Sequence, residues 1–214
     1  MDPAILNKLD AFFAQGKPQH FKRGGILIRA GDNPPGIFSI KSGIVRQYAI
    51  SKKGDDMVVN IFKPHAFFPM SWAMNNTPNN YFFDGMTEVD ALRVSKEAAQ
   101  DFIKSNPDVL YDLLSRVYSG TDGLLMRMMY LMSGDAYTRL VAELVIQAKR
   151  LGRKANAGSS LEVLISEKEL AAQSGMTRET VSRAMKMLRD RGLVLFTAST
   201  LVIKDLGKLE DELK

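Results

Sequence analysis

The sequence predicts an α+β chain: an N-terminal antiparallel β-roll of the jelly-roll kind over residues 1–105, one long helix over 106–134, and a small helical domain with a terminal hairpin over 135–214. Three observations carry this prediction. Strand-like runs recur between glycine turns in the first half, about ten residues apart, the pattern of a compact antiparallel sandwich or barrel. Apolar residues then follow a heptad. In the last third, two short helical segments with hydroxyl caps are separated by a Ser-Gly break and followed by two apolar strand-like runs.

The N-terminal segment AILNKLDAFFA sets Ile5, Leu6, Leu9, Phe12 and Phe13 at helical spacing, so a short helix is expected to pack on the roll. From Phe21 onward Gly24-Gly25, Gly31-Asp32, Ser42-Gly43 and Gly54-Asp55 mark turns. Between them ILIRA, GIFSI, IVRQYAI and MVVNIF are rich in branched and aromatic residues, and YFFDGM and ALRV supply further strands. Asn106-Pro107 opens the long helix, proline fitting its first turn. Leu110, Leu114, Val117, Thr121, Leu124, Met128 and Leu131 follow at alternating separations of four and three residues. One such seam can be satisfied on the chain's own roll. Leu113, Tyr118, Leu125, Met129 and Met132 widen the apolar surface, enough for the helix to meet its roll and a second copy together, so a parallel homodimer is expected through the heptad positions. Gly120 and Gly123 flank Thr121, and each costs about 1 kcal/mol in a helix interior. They mark either a hinge or a close approach of backbone.

DAYTRLVAELVIQAKRL reads as an amphipathic helix with Leu140, Leu144 and Ile146 turned inward and basic residues at its end. RKANAGSS is a polar loop. In ISEKELAAQSGMTRETVSRAMKMLRDRGLVLF, Ser166 and Glu169 form a capping box, Ser174-Gly175 breaks the helix, and Thr177 caps a second one. Ala171, Gly175 and Val181 supply the small residue, the positive-φ turn residue and the buried aliphatic that a helix-turn-helix needs. With Val181, Met185 and Leu188 inward, Arg178, Glu179, Ser182, Arg183 and Lys186 share an exposed face beside the cap Thr177, and these six residues are the candidate DNA contacts. Arginine can grip guanine, glutamate can accept from cytosine, and lysine suits phosphate. The bland alternative is an ordinary exposed Glu179–Arg183 pair, worth only a few tenths of a kcal/mol. The turn chemistry and the hairpin LVLFTAST–LVIK beside the helix favour double-stranded DNA as the partner.

Composition narrows the class. With 45% apolar and 25% charged residues the chain is an ordinary globular protein. The formal net charge is +5, and residues 135–204 alone hold 12 basic against 7 acidic residues, so the positive charge concentrates in the helix-turn-helix part. Zero cysteines exclude disulfides, thiolate-bound zinc, cysteine-ligated iron–sulfur clusters and a cysteine nucleophile. With only His20 and His65, no metal site is expected. No nucleophile–base pair or glycine-rich phosphate loop appears, so an enzyme is not expected. The start MDPAILNKLD is not a secretory signal, and the uncharged stretch 64–83 holds three prolines and four asparagines and cannot be a membrane helix. A cytoplasmic protein is expected.

A roll containing FKRGGILIRAGD, a dimer helix opened by NPDVLYDLL, and R-E-T-V-S-R at Arg178 to Arg183 in a winged helix together resemble the cyclic-AMP receptor protein and fumarate–nitrate regulator (Crp/Fnr) superfamily of bacterial transcription factors. The resemblance covers nearly the whole chain. It implies that Arg178, Glu179, Ser182 and Arg183 read DNA, that a homodimer sits on a two-fold-symmetric site, and that the protein recruits or blocks RNA polymerase. RKANAGSS lies where relatives carry a polymerase-contacting loop.

The departures from the family pattern concern the effector. Cyclic-nucleotide-binding members carry Gly-Glu-Leu and an Arg-Ser or Arg-Thr pair, where this chain has Pro69-Met70-Ser71 and Asn80-Tyr81; the family's adenine contacts fall on Leu124 and Leu125. Without an arginine a buried phosphate lacks compensation, so cyclic AMP is not expected. The missing cysteines exclude the family's oxygen-sensing cluster. His65 is the one candidate axial ligand for haem, and a histidine beside a proline reads better as a loop residue. A pocket rimmed by Phe68, Ser71, Trp72, Tyr81, Leu124 and Leu125 would take an apolar or aromatic small molecule as effector, if one exists. The alternative class is a ligand-binding signalling module acting through protein contacts.

Overall fold

The computed structural model describes residues 2–52, 54, 56–154, 160–197 and 200–213. Its contacts divide the chain into two compact units, Met1–Val117 and Tyr118–Lys214.

In the first unit, α1 (Pro3–Phe13) starts at Asp2, whose carboxylate accepts from the Ala4 N–H at 2.7 Å. The roll follows as β1 (Lys17–Phe21), β2 (Ile26–Ile28), β3 (Ile37–Ser42), β4 (Val45–Ile50), β5 (Asp56–Phe62), β6 (Phe67–Phe68), the short helix α2 (Met70–Asn75), β7 (Phe82–Gly85) and β8 (Val89–Val94). Two four-stranded sheets result, ordered β1-β8-β3-β6 and β2-β7-β4-β5, with every pairing antiparallel. Leu27, Phe38, Ile40, Val45, Phe83 and Val89 from both sheets close the core between them. Gly43 is held there by geometry: at φ +88 a Cβ would stand 2.0 Å from the Glu88 carbonyl oxygen.

The roll is longer than its sequence pattern. KPQHF, polar and with Pro18, forms the edge strand β1, where a missing N–H is tolerated. The helix α3 (Lys96–Ser105), capped by Ser95 toward Ala98 N–H at 3.1 Å, buries Ala99 and Ile103 in a second cluster with Leu9, Phe13, Phe67 and Val109.

α4 (Pro107–Ser133) runs from the first unit into the second. The second unit continues with α5 (Ala136–Leu151), β9 (Arg153–Lys154), β10 (Leu161–Leu164), α6 (Glu167–Ser174), α7 (Arg178–Asp190), β11 (Val194–Phe196), β12 (Thr200–Ile203) and α8 (Leu206–Asp211). The strands form one antiparallel sheet, β11-β12-β10-β9. Leu140, Leu144, Val163, Leu170, Val181, Met185, Leu188 and Leu201 build its core.

Candidate nucleic-acid interface

The geometry begins with two caps and a turn. Ser166 Oγ accepts from the Glu169 N–H at 3.2 Å while the Glu169 carboxylate accepts from the Ser166 N–H at 2.7 Å, the reciprocal capping box. α6 ends on Gly175 at φ 63, ψ 30, the left-handed conformation that a side chain resists, and the Gly175 N–H closes on the Ala171 carbonyl. Thr177 Oγ1 then accepts from the Thr180 N–H at 3.3 Å and starts α7. Thr177 is thus committed to the cap while remaining exposed.

α7 buries Val181, Ala184, Met185 and Leu188. The opposite face holds Arg178, Glu179, Arg183 and Lys186, all exposed, with Ser182 half-buried among them. The Arg178 side chain is 76% exposed and its Nε lies 4.0 Å from a carboxylate oxygen of Glu167, on the first turn of α6. The C-terminal end of α7 is anchored at its cap residue: Arg191 reaches the Glu212 carboxylate and stacks over the Tyr137 ring, and Tyr137 OH donates to the same carboxylate oxygen, Glu212 Oε2, at 2.7 Å. Burial and the Glu212 carboxylate push the Tyr137 phenol above its ordinary range. The hairpin β11–β12 pairs Val194 with Ile203 and Phe196 with Leu201 beside this helix. Residues 198–199, between β11 and β12 in sequence, and 155–159 of the RKANAGSS segment lie outside the described residues, while Arg153 and Lys154 of that segment form the strand β9 rather than a loop.

The heptad positions of α4 face outward: Leu110 is 40%, Leu114 46%, Val117 54%, Leu124 46%, Met128 55% and Leu131 43% exposed, and Thr121 is exposed with them. A Cβ added at Gly120 or Gly123 would meet nothing within 4 Å in this chain.

The proposed effector rim comes out differently. Phe68 is not on a rim: at 2% exposure it is a core residue, stacked on Phe62 at 4.7 Å and Phe83 at 5.0 Å between ring centroids. Its position in β6, opposite Phe38, turns the ring between the sheets. Ser71 and Tyr81 are exposed. Trp72 donates from Nε1 to Asn33 Oδ1 at 3.0 Å under the Lys96 ammonium. Leu124 and Leu125 belong to the second unit, on α4. His65 is a turn residue at φ 68 whose N–H donates to the Ile40 carbonyl at 2.9 Å.

A capped helix with an apolar inner face and an arginine-, glutamate- and lysine-bearing outer face, seated beside a hairpin, is a winged helix-turn-helix, the DNA-binding part of a transcription regulator. Residues 138–212 match the family model of the Crp-like helix-turn-helix domain, and residues 18–106 that of the cyclic nucleotide-binding domain. The chain belongs to the Crp/Fnr family and is a DNA-binding transcriptional regulator. Among its relatives are the anaerobic regulatory protein of Haemophilus influenzae, 21% identical over 95% of this chain and 78% of that protein. Another is the CRP-like cAMP-activated global transcriptional regulator of Mycobacterium tuberculosis, 23% identical over 93% of this chain and 89% of that protein. The fold matches a mutant of CooA from Carboxydothermus hydrogenoformans, with a TM-score of 0.77 at 23% identity over 95% of this chain and 90% of that one. It also matches the c-di-GMP responsive regulator CLP of Xanthomonas campestris, with a TM-score of 0.75 at 20% identity over 94% and 99%.

Proposed function

We propose that two copies of this chain pair through the heptad face of α4 and read a two-fold-symmetric duplex site with their α7 helices. The observation that carries the proposal is the outer face of α7, where two arginines, a glutamate, a serine and a lysine project from a helix capped at one end and anchored at the other. Arg178 and Arg183 are suited to guanine O6 and N7, Glu179 to cytosine N4 and Lys186 to phosphate. Half-sites lie about one helical turn apart. The bound dimer then recruits or blocks RNA polymerase.

The effector is not a cyclic nucleotide in this reading, although the Mycobacterium tuberculosis relative is named for activation by cyclic AMP. Pro69, Met70, Ser71, Asn80 and Tyr81 bring no cation to the roll. The roll's Arg46 is taken up by Asp84, at 2.7 and 3.0 Å, and by Asp56 at 3.0 Å, so its charge is already neutralised. That double pairing raises the guanidinium pKa further. Calorimetry with cyclic AMP and cyclic GMP should therefore show no binding heat, and tight binding of either would contradict this part of the reading.

For base readout, Arg183→Ala should lose about 1–3 kcal/mol on the cognate duplex and relax discrimination at one base pair, measured by gel shift at fixed salt. Equal binding of wild type and variant to specific and random duplexes would contradict it.

A further inference from the structure

α5 carries two polar side chains in its buried stretch, Glu143 and Gln147, 2% and 1% exposed. A buried carboxylate needs compensation, and here it comes from another helix. Arg127 of α4 donates from Nε to Glu143 Oε2 at 2.9 Å and from Nη2 to Oε1 at 3.0 Å, two parallel charge-assisted bonds. Gln147 Nε2 donates both to Glu143 Oε1 at 2.7 Å and to Gln173 Oε1 at 2.6 Å. Gln173 is buried near the end of α6, two residues before the Gly175 turn that directs α7. Four side chains thus make a continuous polar path from the heptad helix to the helix on which α7 rests.

The path is only partly satisfied. Gln147 Oε1 and Gln173 Nε2 are buried with no hydrogen-bond partner among the described residues, and so is Arg139 Nε. Arg139 lines one small pocket with Arg127, Glu143 and Ser174. It precedes Glu143 by four residues on α5, the spacing at which helical side chains meet. Glu143 therefore has two guanidinium groups at hand, one on α4 and one on its own helix. Packing alone does not call for this arrangement, because apolar residues of similar volume in place of a buried ion pair are often neutral or stabilising.

We propose that Glu143 is a positioning residue for DNA binding. Held by Arg127, it ties α6, through Gln147 and Gln173, to the heptad helix and fixes the seat of α7; exchange to Arg139 releases that tie. The inference rests on α7 being the DNA-reading helix. Its test uses the full chain and the double variant Arg127→Met/Glu143→Leu, which exchanges the ion pair for apolar volume. The expected result is a melting temperature at or above that of wild type with affinity for the selected duplex lower by roughly 2- to 30-fold. Arg127→Lys keeps the charge and loses the fork, and should weaken binding in the same direction without a matching loss of stability. Arg139→Met removes the competing partner and should bind more tightly than wild type. Double and lysine variants that bind as wild type overturn the proposal. A wild type that enriches no duplex at all overturns the reading of α7 instead.

Discussion

At the scale of single residues, local chemistry decides the helix-turn-helix. Gly175 adopts φ 63 with open space around the missing Cβ, so Gly175→Ala should destabilise through the backbone alone, by about 1–2 kcal/mol. Chemical unfolding measures this, and an unchanged midpoint would contradict it. Asp135 starts α5 by accepting from the Thr138 N–H at 2.8 Å, and that bond holds its carboxyl below the usual carboxylate range. A group with a depressed folded pKa contributes stability that is complete above its unfolded pKa of about 3.9 and is lost as the pH falls through the folded value. Asp135→Asn should therefore flatten the acid limb of the stability–pH curve, and an unchanged limb would contradict it. Ser166, Glu169, Gly175 and Thr177 are legible in the sequence because a cap or a turn is settled by its nearest neighbours. Glu143 and Phe68 are not: their environments are set by Arg127 and by Phe62 and Phe83 of the opposite sheet, contacts that no local pattern announces.

At the scale of elements, α4 is the segment whose sequence spacing says most. Its heptad positions stand outward as an apolar stripe, and a charge in the middle should split the assembly. Leu124→Glu should sediment as a monomer and lose binding to a symmetric duplex, and a dimer of unchanged affinity would contradict that. Gly120→Ala should raise stability by about 0.8–1 kcal/mol, because the added methyl meets nothing in this chain and improves helix propensity. A lowered melting temperature would contradict it. The strands rich in branched residues, β3, β4 and β5, are visible before folding. β6, at two residues, and β1, polar and on an edge, exist because β3 and β8 offer them partners.

At the scale of the whole molecule, the excess of 12 basic over 7 acidic residues in 135–204 supplies non-specific attraction to a polyanion, and the outer face of α7 supplies discrimination. Salt should separate the two, with affinity for random duplex falling steeply as salt rises while preference for a selected site persists. The central claim is that two α7 helices read base edges together. Selection of wild-type protein against a randomised duplex pool at fixed salt tests it most directly: the account predicts an enriched inverted repeat with half-site centres about 10 base pairs apart, and a pool that stays random, or yields one asymmetric half-site, would contradict it.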